Sequence, residues 1–180
     1  MLSGFSAYHH GSPTCLCLKT YKMQSTDLTV RMTRSCLFCS VVKYKIPAVI
    51  IYEDENFMAL MDKYPINHGH SLVIPRSHHE SLLSMTSSEV GKLYSLVSTV
   101  SKAVISAVHA DGFSIGQNNG RAANQIIPHV HVHIIPRYAG DSREGKWPNR
   151  TIGNMQQLTI TSQKIRSVLL ACTDIRLPEA

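Results

Sequence analysis

The sequence predicts an α+β domain: an antiparallel β-sheet of about five strands with one long amphipathic helix. Three observations predict it. β-rich runs stand before and after a single long stretch of helical periodicity, an order that suits an antiparallel sheet with a packed helix better than alternating parallel units. That stretch opens on Thr86-Ser87-Ser88-Glu89, a Thr-x-x-Glu capping signature. The chain has 180 residues, 43% hydrophobic and 17% charged, enough for one buried core and too apolar for wholesale disorder.

Residues 1–31 show no periodicity and mix Ser, Thr, His and Gly. They read as a disordered extension or processed leader, with Met32 as an alternative start. Residues 32–140 form the domain. Within it, Ile50–Asp54 and Phe57–Asp62 flank an acidic turn and read as a hairpin. His70–Pro75 follows Gly69 and ends at a proline, a third strand. Leu93, Val97, Val100, Val104 and Val108 recur at helical spacing and predict a helix over 87–109. Gly112–Asn118 reads as a fourth strand and His129–Pro136 as a fifth. Residues 141–180 read as a C-terminal loop, polar over 143–154, followed by a helix over 161–171.

The net charge of +6 is not spread over the domain. Residues 32–136 carry eight basic and seven acidic side chains, so the excess lies toward the ends. A long polyanion needs a continuous basic track; a nearly neutral body suits a small phosphorylated ligand and argues against nucleic acid. No apolar run approaches the roughly 20 residues of a membrane span. The five cysteines are an odd count, and residues 1–12 lack the apolar core of an export signal. A cytoplasmic, reducing location follows, with Cys36-x-x-Cys39 a metal or redox pair rather than a structural disulfide. Cys15-x-Cys17 has the wrong spacing for such a pair.

The chemistry concentrates in His129-Val130-His131-Val132-His133-Ile134-Ile135. At period two the three imidazoles share one face, and Val130, Val132 and Ile134 give the other face an ordinary core to join. Three histidines in a row have no packing rationale. Such a row can bind a metal, perform acid–base or nucleophilic chemistry, or divide these tasks. Imidazole suits phosphoryl chemistry because it is largely neutral near pH 7 and nucleophilic at one nitrogen. Attack on phosphorus also needs donors for the charged oxygens, which Asn118, Asn119, Gln125 and His133 can supply. His9, His10, His68, His70 and His109 read as surface or structural.

This run resembles the signature of the histidine-triad (HIT) nucleotide hydrolases and transferases, His-φ-His-φ-His-φ-φ. The resemblance extends over residues 35–140 through Cys36-Leu37-Phe38-Cys39, Tyr52-Glu53-Asp54-Glu55, Gly69–His78, Asn118-Asn119-Gly120 and Gln125. It implies a HIT-like fold and a homodimer. It implies that His131 is the nucleophile that becomes transiently nucleotidylated, that His133 and Asn118 hold the phosphate or leaving group, and that Asp62 bonds the ribose hydroxyls. Phe38, Ile46 and Leu60 lie in stretches that wall the base in that family. The implied activity is hydrolysis of adenosine phosphoramidates or dinucleoside polyphosphates. Nucleotidyl transfer to phosphate, and purine-nucleotide binding without turnover, are the alternatives.

The resemblance also completes the cysteine pair. Two thiolates need two further ligands for a closed tetrahedral zinc site. In the zinc-containing branch these are the histidine after Ile-Pro-basic-x and the first triad histidine, here His78 and His129. The expected site is Cys36, Cys39, His78 and His129, with structural zinc; His79 is the adjacent competitor for His78. Two departures stand out. Ile126 occupies the place of a common Ser or Thr, and Asn124 that of a common glycine.

Overall fold

The computed structural model describes residues 36–142 and 149–172. The readings on residues 1–31, on Cys15 and Cys17, and on 143–148 of the polar loop lie outside the described residues. A short helix α1 (Leu37–Val42) is followed by β1 (Ile50–Glu53), β2 (Phe57–Met61), β3 (Ser71–Pro75), α2 (Ser87–Val108), β4 (Gly112–Gly116), β5 (Val132–Arg137) and α3 (Met155–Cys172). The five strands form one antiparallel sheet in the order β1-β2-β3-β5-β4.

Local chemistry explains the boundaries. The β1–β2 hairpin turns on Asp54, whose Oδ1 accepts from the amides of Asn56 and Phe57, both at 2.7 Å. At the start of α2 both arms of the capping box form: the Thr86 amide donates to Glu89 Oε2 (2.7 Å) and the Glu89 amide donates to Thr86 Oγ1 (3.2 Å). Gly69 sits at φ +85°, and a Cβ there would meet Val108 Cγ1 at 2.9 Å. Only glycine lets the chain pass the end of α2 at that point and turn into β3.

The sheet separates two cores. On one face Ile51, Phe57, Ala59, Met61, Val73, Val132 and Ile134 pack with α2 and with Leu158, Ile165 and Leu169 of α3. On the other face Met58, Leu60, Leu72 and Ile74 pack with Phe38 and Val41 of α1. His133 pairs with Leu72 and with Gly116, which puts the histidine at the centre of the sheet.

Two elements differ from the sequence reading. The triad strand begins at Val132, not His129, because Val130 donates its amide to the carbonyl of His79 (2.7 Å) rather than to a strand. His129 and His131 therefore stand on the segment leading into the sheet. Helix α3 begins at Met155, six residues before the expected start. Asn154 Oδ1 accepts from the Gln157 amide (3.2 Å) and caps it, and a polar first turn hides that start from a hydrophobic-periodicity scan.

Candidate active site and metal centre

The four expected metal ligands converge. Cys36 is the N-cap of α1 and Cys39 lies in its first turn, three residues on, so both thiols emerge on one side. Cys36 Sγ lies 3.4 Å and Cys39 Sγ 3.6 Å from His129 Nδ1, and Cys39 Sγ lies 3.2 Å from His78 Nδ1. All four ligand atoms fall within 4.8 Å of one another. A tetrahedron with zinc–sulfur and zinc–nitrogen bonds of ordinary length separates S from N by about 3.6 Å. His129 Nε2 donates to the Pro75 carbonyl (2.8 Å), so its Nδ1 carries the lone pair that faces the sulfurs. Burial, reinforced by the Cys36 thiol beside it, pushes the Cys39 thiol up, a tendency that a bound dication reverses. The donor set fits zinc. His79 is turned away: its Nδ1 donates to Ser84 O (3.1 Å) and its Nε2 lies 3.6 Å from Glu89.

His131 is buried, with 8% of its surface exposed. Its Nδ1 donates to the His129 carbonyl at 2.6 Å, which a carbonyl can only accept. The proton is thus on Nδ1 and the lone pair on Nε2. Burial lowers its pKa, so it stays neutral. The Phe38 ring lies 5.3 Å from the His131 ring and 5.8 Å from that of His129.

The same reasoning fixes His133 through a residue that the sequence reading left as structural. His70 is fully buried, and its Nδ1 accepts the Ile66 amide at 3.0 Å. Its proton is therefore on Nε2, which donates to His133 Nδ1 at 2.9 Å. His133 in turn carries its proton on Nε2. Burial first, then the charges of neighbouring groups, holds His70 down to about 3 and His133 down to about 4. The signal was in the sequence: His70, Leu72 and Ile74 share a face at period two, and Leu72 is the neighbour of His133 across the ladder.

Asp62 lies beside this pair, 3.4 Å from His70 Nε2 and 3.7 Å from His133 Nδ1. It is buried, its Oδ1 accepts the Tyr64 amide (2.8 Å) and its Oδ2 accepts from Arg150 Nη2 (2.6 Å). Asn118 stands two residues beyond Gly116, the partner of His133, and is exposed. Gln125 braces the loop: its Nε2 donates to the carbonyls of Glu80 (2.7 Å) and Ile127 (3.1 Å), and its Oε1 accepts the Gly120 amide (2.6 Å). Asn124 has φ 62°, the conformation that explains Asn where glycine is common. Ile126 is 85% exposed and brings no hydroxyl to the loop. Phe38 and Leu60 are buried in the α1-side core, whereas Ile46 is exposed.

Comparison with known proteins agrees with this geometry. The model of the HIT domain matches residues 43–140. The adenylylsulfatase HINT3 of Arabidopsis thaliana is 33% identical over 151 residues, covering 84% of this chain and 72% of that protein. The adenosine 5'-monophosphoramidase hnt1 of Schizosaccharomyces pombe is 38% identical over 103 residues, covering 57% and 74%. Among solved structures, a zinc-bound histidine triad family protein from Mycobacterium smegmatis superposes with a TM-score of 0.67 at 33% identity, over 76% of this chain and 94% of that one. The HIT fold, the ordered triad and the relatives lead to one conclusion: the chain belongs to the HIT family and is a HIT-family hydrolase.

Proposed function

We propose that the protein is a nucleotide-conjugate hydrolase that cleaves adenosine phosphoramidates or dinucleoside polyphosphates at the α-phosphorus through a nucleotidyl-His131 intermediate. The observation that carries this reading is the His131 tautomer, fixed by the His129 carbonyl so that Nε2 presents a lone pair. Nε2 attacks phosphorus, the bond to the leaving group breaks, and the leaving group departs with its electron pair. His133 Nε2–H is the donor available to it, and Asn118 holds the phosphate oxygens. Water then attacks the nucleotidyl-histidine and releases the mononucleotide, restoring neutral His131. Asp62 accepts from the ribose hydroxyls, and Gln125 acts by shaping the loop over the phosphate. Zinc held by Cys36, Cys39, His78 and His129 would supply structure alone, since four protein ligands leave it no open position.

Ile126 bears on the leaving group. A departing amine needs a proton, and the side chain that commonly stands there with a hydroxyl is an isoleucine. An anionic leaving group needs none, and the Arabidopsis relative is named for cleavage of an adenylyl sulfate. Adenylyl sulfate therefore joins adenosine phosphoramidate, diadenosine triphosphate and diadenosine tetraphosphate in the test panel. Wild type is expected to release mononucleotide from at least one, and His131→Ala to lose at least about 10⁴-fold in kcat/KM. Equal turnover in both refutes the mechanism. Absence of turnover with tight nucleotide binding favours a zinc-stabilised binding module, and turnover only on added phosphate favours a transferase.

We also take the chain to be a cytoplasmic homodimer, with residues 32–140 as its catalytic domain. Strand β4 is a sheet edge, and Phe113 and Ile115 on it line an apolar groove of about 710 Å³ with Tyr94, Val97 and Ile105 of α2. A second copy is the occupant that the resemblance implies, and sedimentation as a monomer at micromolar concentration overturns it. Among the described residues no helix is long and apolar enough to cross a membrane.

A further inference from the structure

Residues 149–154 bring a cation to the active site from the far end of the chain. The Gly153 amide donates to the Lys63 carbonyl (2.9 Å) and the Thr151 amide to the Pro65 carbonyl (3.3 Å), so this segment lies along 63–65. Arg150 Nε donates to the Tyr64 carbonyl (2.8 Å), which aims the guanidinium at Asp62 Oδ2, 2.6 Å from Nη2. The same few residues thus clamp Asp62 from two sides: the Tyr64 amide on one oxygen, Arg150 on the other.

We propose that Arg150 is a positioning residue for sugar recognition, orienting the Asp62 carboxylate so that it selects a ribose over a deoxyribose nucleotide. The inference rests on the reading of Asp62 as the ribose acceptor. An ionised carboxylate offers about four lone-pair sites, two on each oxygen. The Tyr64 amide uses one on Oδ1 and Arg150 uses one on Oδ2. His70 Nε2–H is directed to His133 at 2.9 Å rather than to Asp62 at 3.4 Å. One acceptor site then remains on each oxygen, the number that two adjacent sugar hydroxyls require. Burial raises the Asp62 pKa, toward a neutral carboxyl that replaces one acceptor by a donor and spoils that match; the Tyr64 amide and then the Arg150 charge offset part of that shift. The guanidinium fork spans the Tyr64 carbonyl and the carboxylate together, a geometry that a lysine ammonium cannot reproduce.

Calorimetric binding of AMP and of 2',3'-dideoxy-AMP to the full chain tests this without requiring turnover. Wild type is expected to bind AMP more tightly than the dideoxy compound. Arg150→Gln weakens AMP about fivefold and narrows the ribo-to-dideoxy ratio by the same factor. Arg150→Lys recovers part of the ratio by charge alone. Asp62→Asn removes most of the ratio. If Arg150→Gln weakens both ligands equally, or lowers the thermal midpoint with the ratio intact, Arg150 only ties the segment down and the proposal is overturned. The reading of Asp62 then survives if Asp62→Asn still abolishes the preference. If Asp62→Asn leaves the preference intact, both fall together.

Discussion

Two groups of side chains flank His131, and by composition each could hold a metal. One is Cys36, Cys39, His78 and His129; the other is Asp62, His70 and His133, and each has its ligand atoms within 4.8 Å of one another. What separates them is the direction of the lone pairs. In the first group His129 gives its proton to the Pro75 carbonyl and turns a bare nitrogen to the thiols. In the second the nitrogen lone pairs are already spent: the Ile66 amide takes His70 Nδ1 and His70 takes His133 Nδ1, while Arg150 occupies one of the two sites on Asp62 Oδ2. A cation is already present there as a guanidinium. Backbone amides and carbonyls, by deciding which nitrogen holds the proton, give the row of histidines different free nitrogens: Nδ1 on His129, Nε2 on His131, and a protonated Nε2 on His133.

The largest expected effect breaks the first group. Purified protein should contain one zinc per chain, and its removal by a chelator, or Cys39→Ser, should destabilise the fold by about 3–5 kcal/mol or more. Structural zinc contributes folding energy directly, and its loss leaves α1 and the His129 segment without their junction. The thermal midpoint should fall by about 10 °C or more, with loss of turnover following loss of order around His131. Protein without stoichiometric zinc, in which Cys36 and Cys39 alkylate freely in the folded state, removes the metal from the account.

The second group should show itself through acid. The native state holds His70 near 3 and His133 near 4, chiefly by burial, whereas unfolded imidazole titrates near 6.5. Between those values the unfolded chain binds protons that the native chain excludes. Stability from this pair is therefore complete above about pH 6.5 and declines as the pH falls toward 4. With two protons at stake the loss is on the order of a few kcal/mol. Denaturant midpoints are compared between wild type and His70→Asn from about pH 7.5 to 4.5, so that the metal ligands, whose protonation also destabilises the fold in acid, cancel in the difference. His70→Asn, which retains an acceptor for the Ile66 amide but cannot titrate, should give the shallower profile of the two. A wild-type profile that is flat across this range rules out the buried neutral pair.

Which parts of this were legible beforehand follows from how far each contact reaches along the chain. The β1–β2 hairpin, β3 and α2 were readable because periods of 2 and 3.6 and a capping box are local. The convergence of Cys36, Cys39, His78 and His129 was readable as well, since the cysteine spacing and the ordered family motifs name them. His70 was within reach on the alternation with Leu72 and Ile74 but was passed over as one histidine among ten. The triad strand was drawn too long because alternation continues through His129 and His131, while the backbone of Val130 pairs with His79. Arg150 had no local signal: its contact with Asp62 spans 88 residues, and nothing about an arginine in a polar loop tells which carboxylate it meets.

The smallest effect sharpens the boundary of the metal group by separating two adjacent histidines. His78 Nδ1 is 3.2 Å from Cys39 Sγ, while the His79 ring is directed at the Ser84 carbonyl and Glu89. The useful part of His79 is its backbone: the carbonyl that receives the Val130 amide docks the loop on the triad segment, whatever side chain is attached. His79→Ala should therefore keep zinc at one per chain and cost about 0.5 kcal/mol, the scale of one exposed hydrogen bond. His78→Ala opens a fourth position to water, and zinc affinity should fall by more than about 100-fold. Competition with a chromogenic chelator reads both variants on one scale. Were His79→Ala to release the metal while His78→Ala retained it, the ligand would be His79. The loop would then have to rotate its side chains by one residue, pulling the Val130 anchor with it and shifting His131 as well.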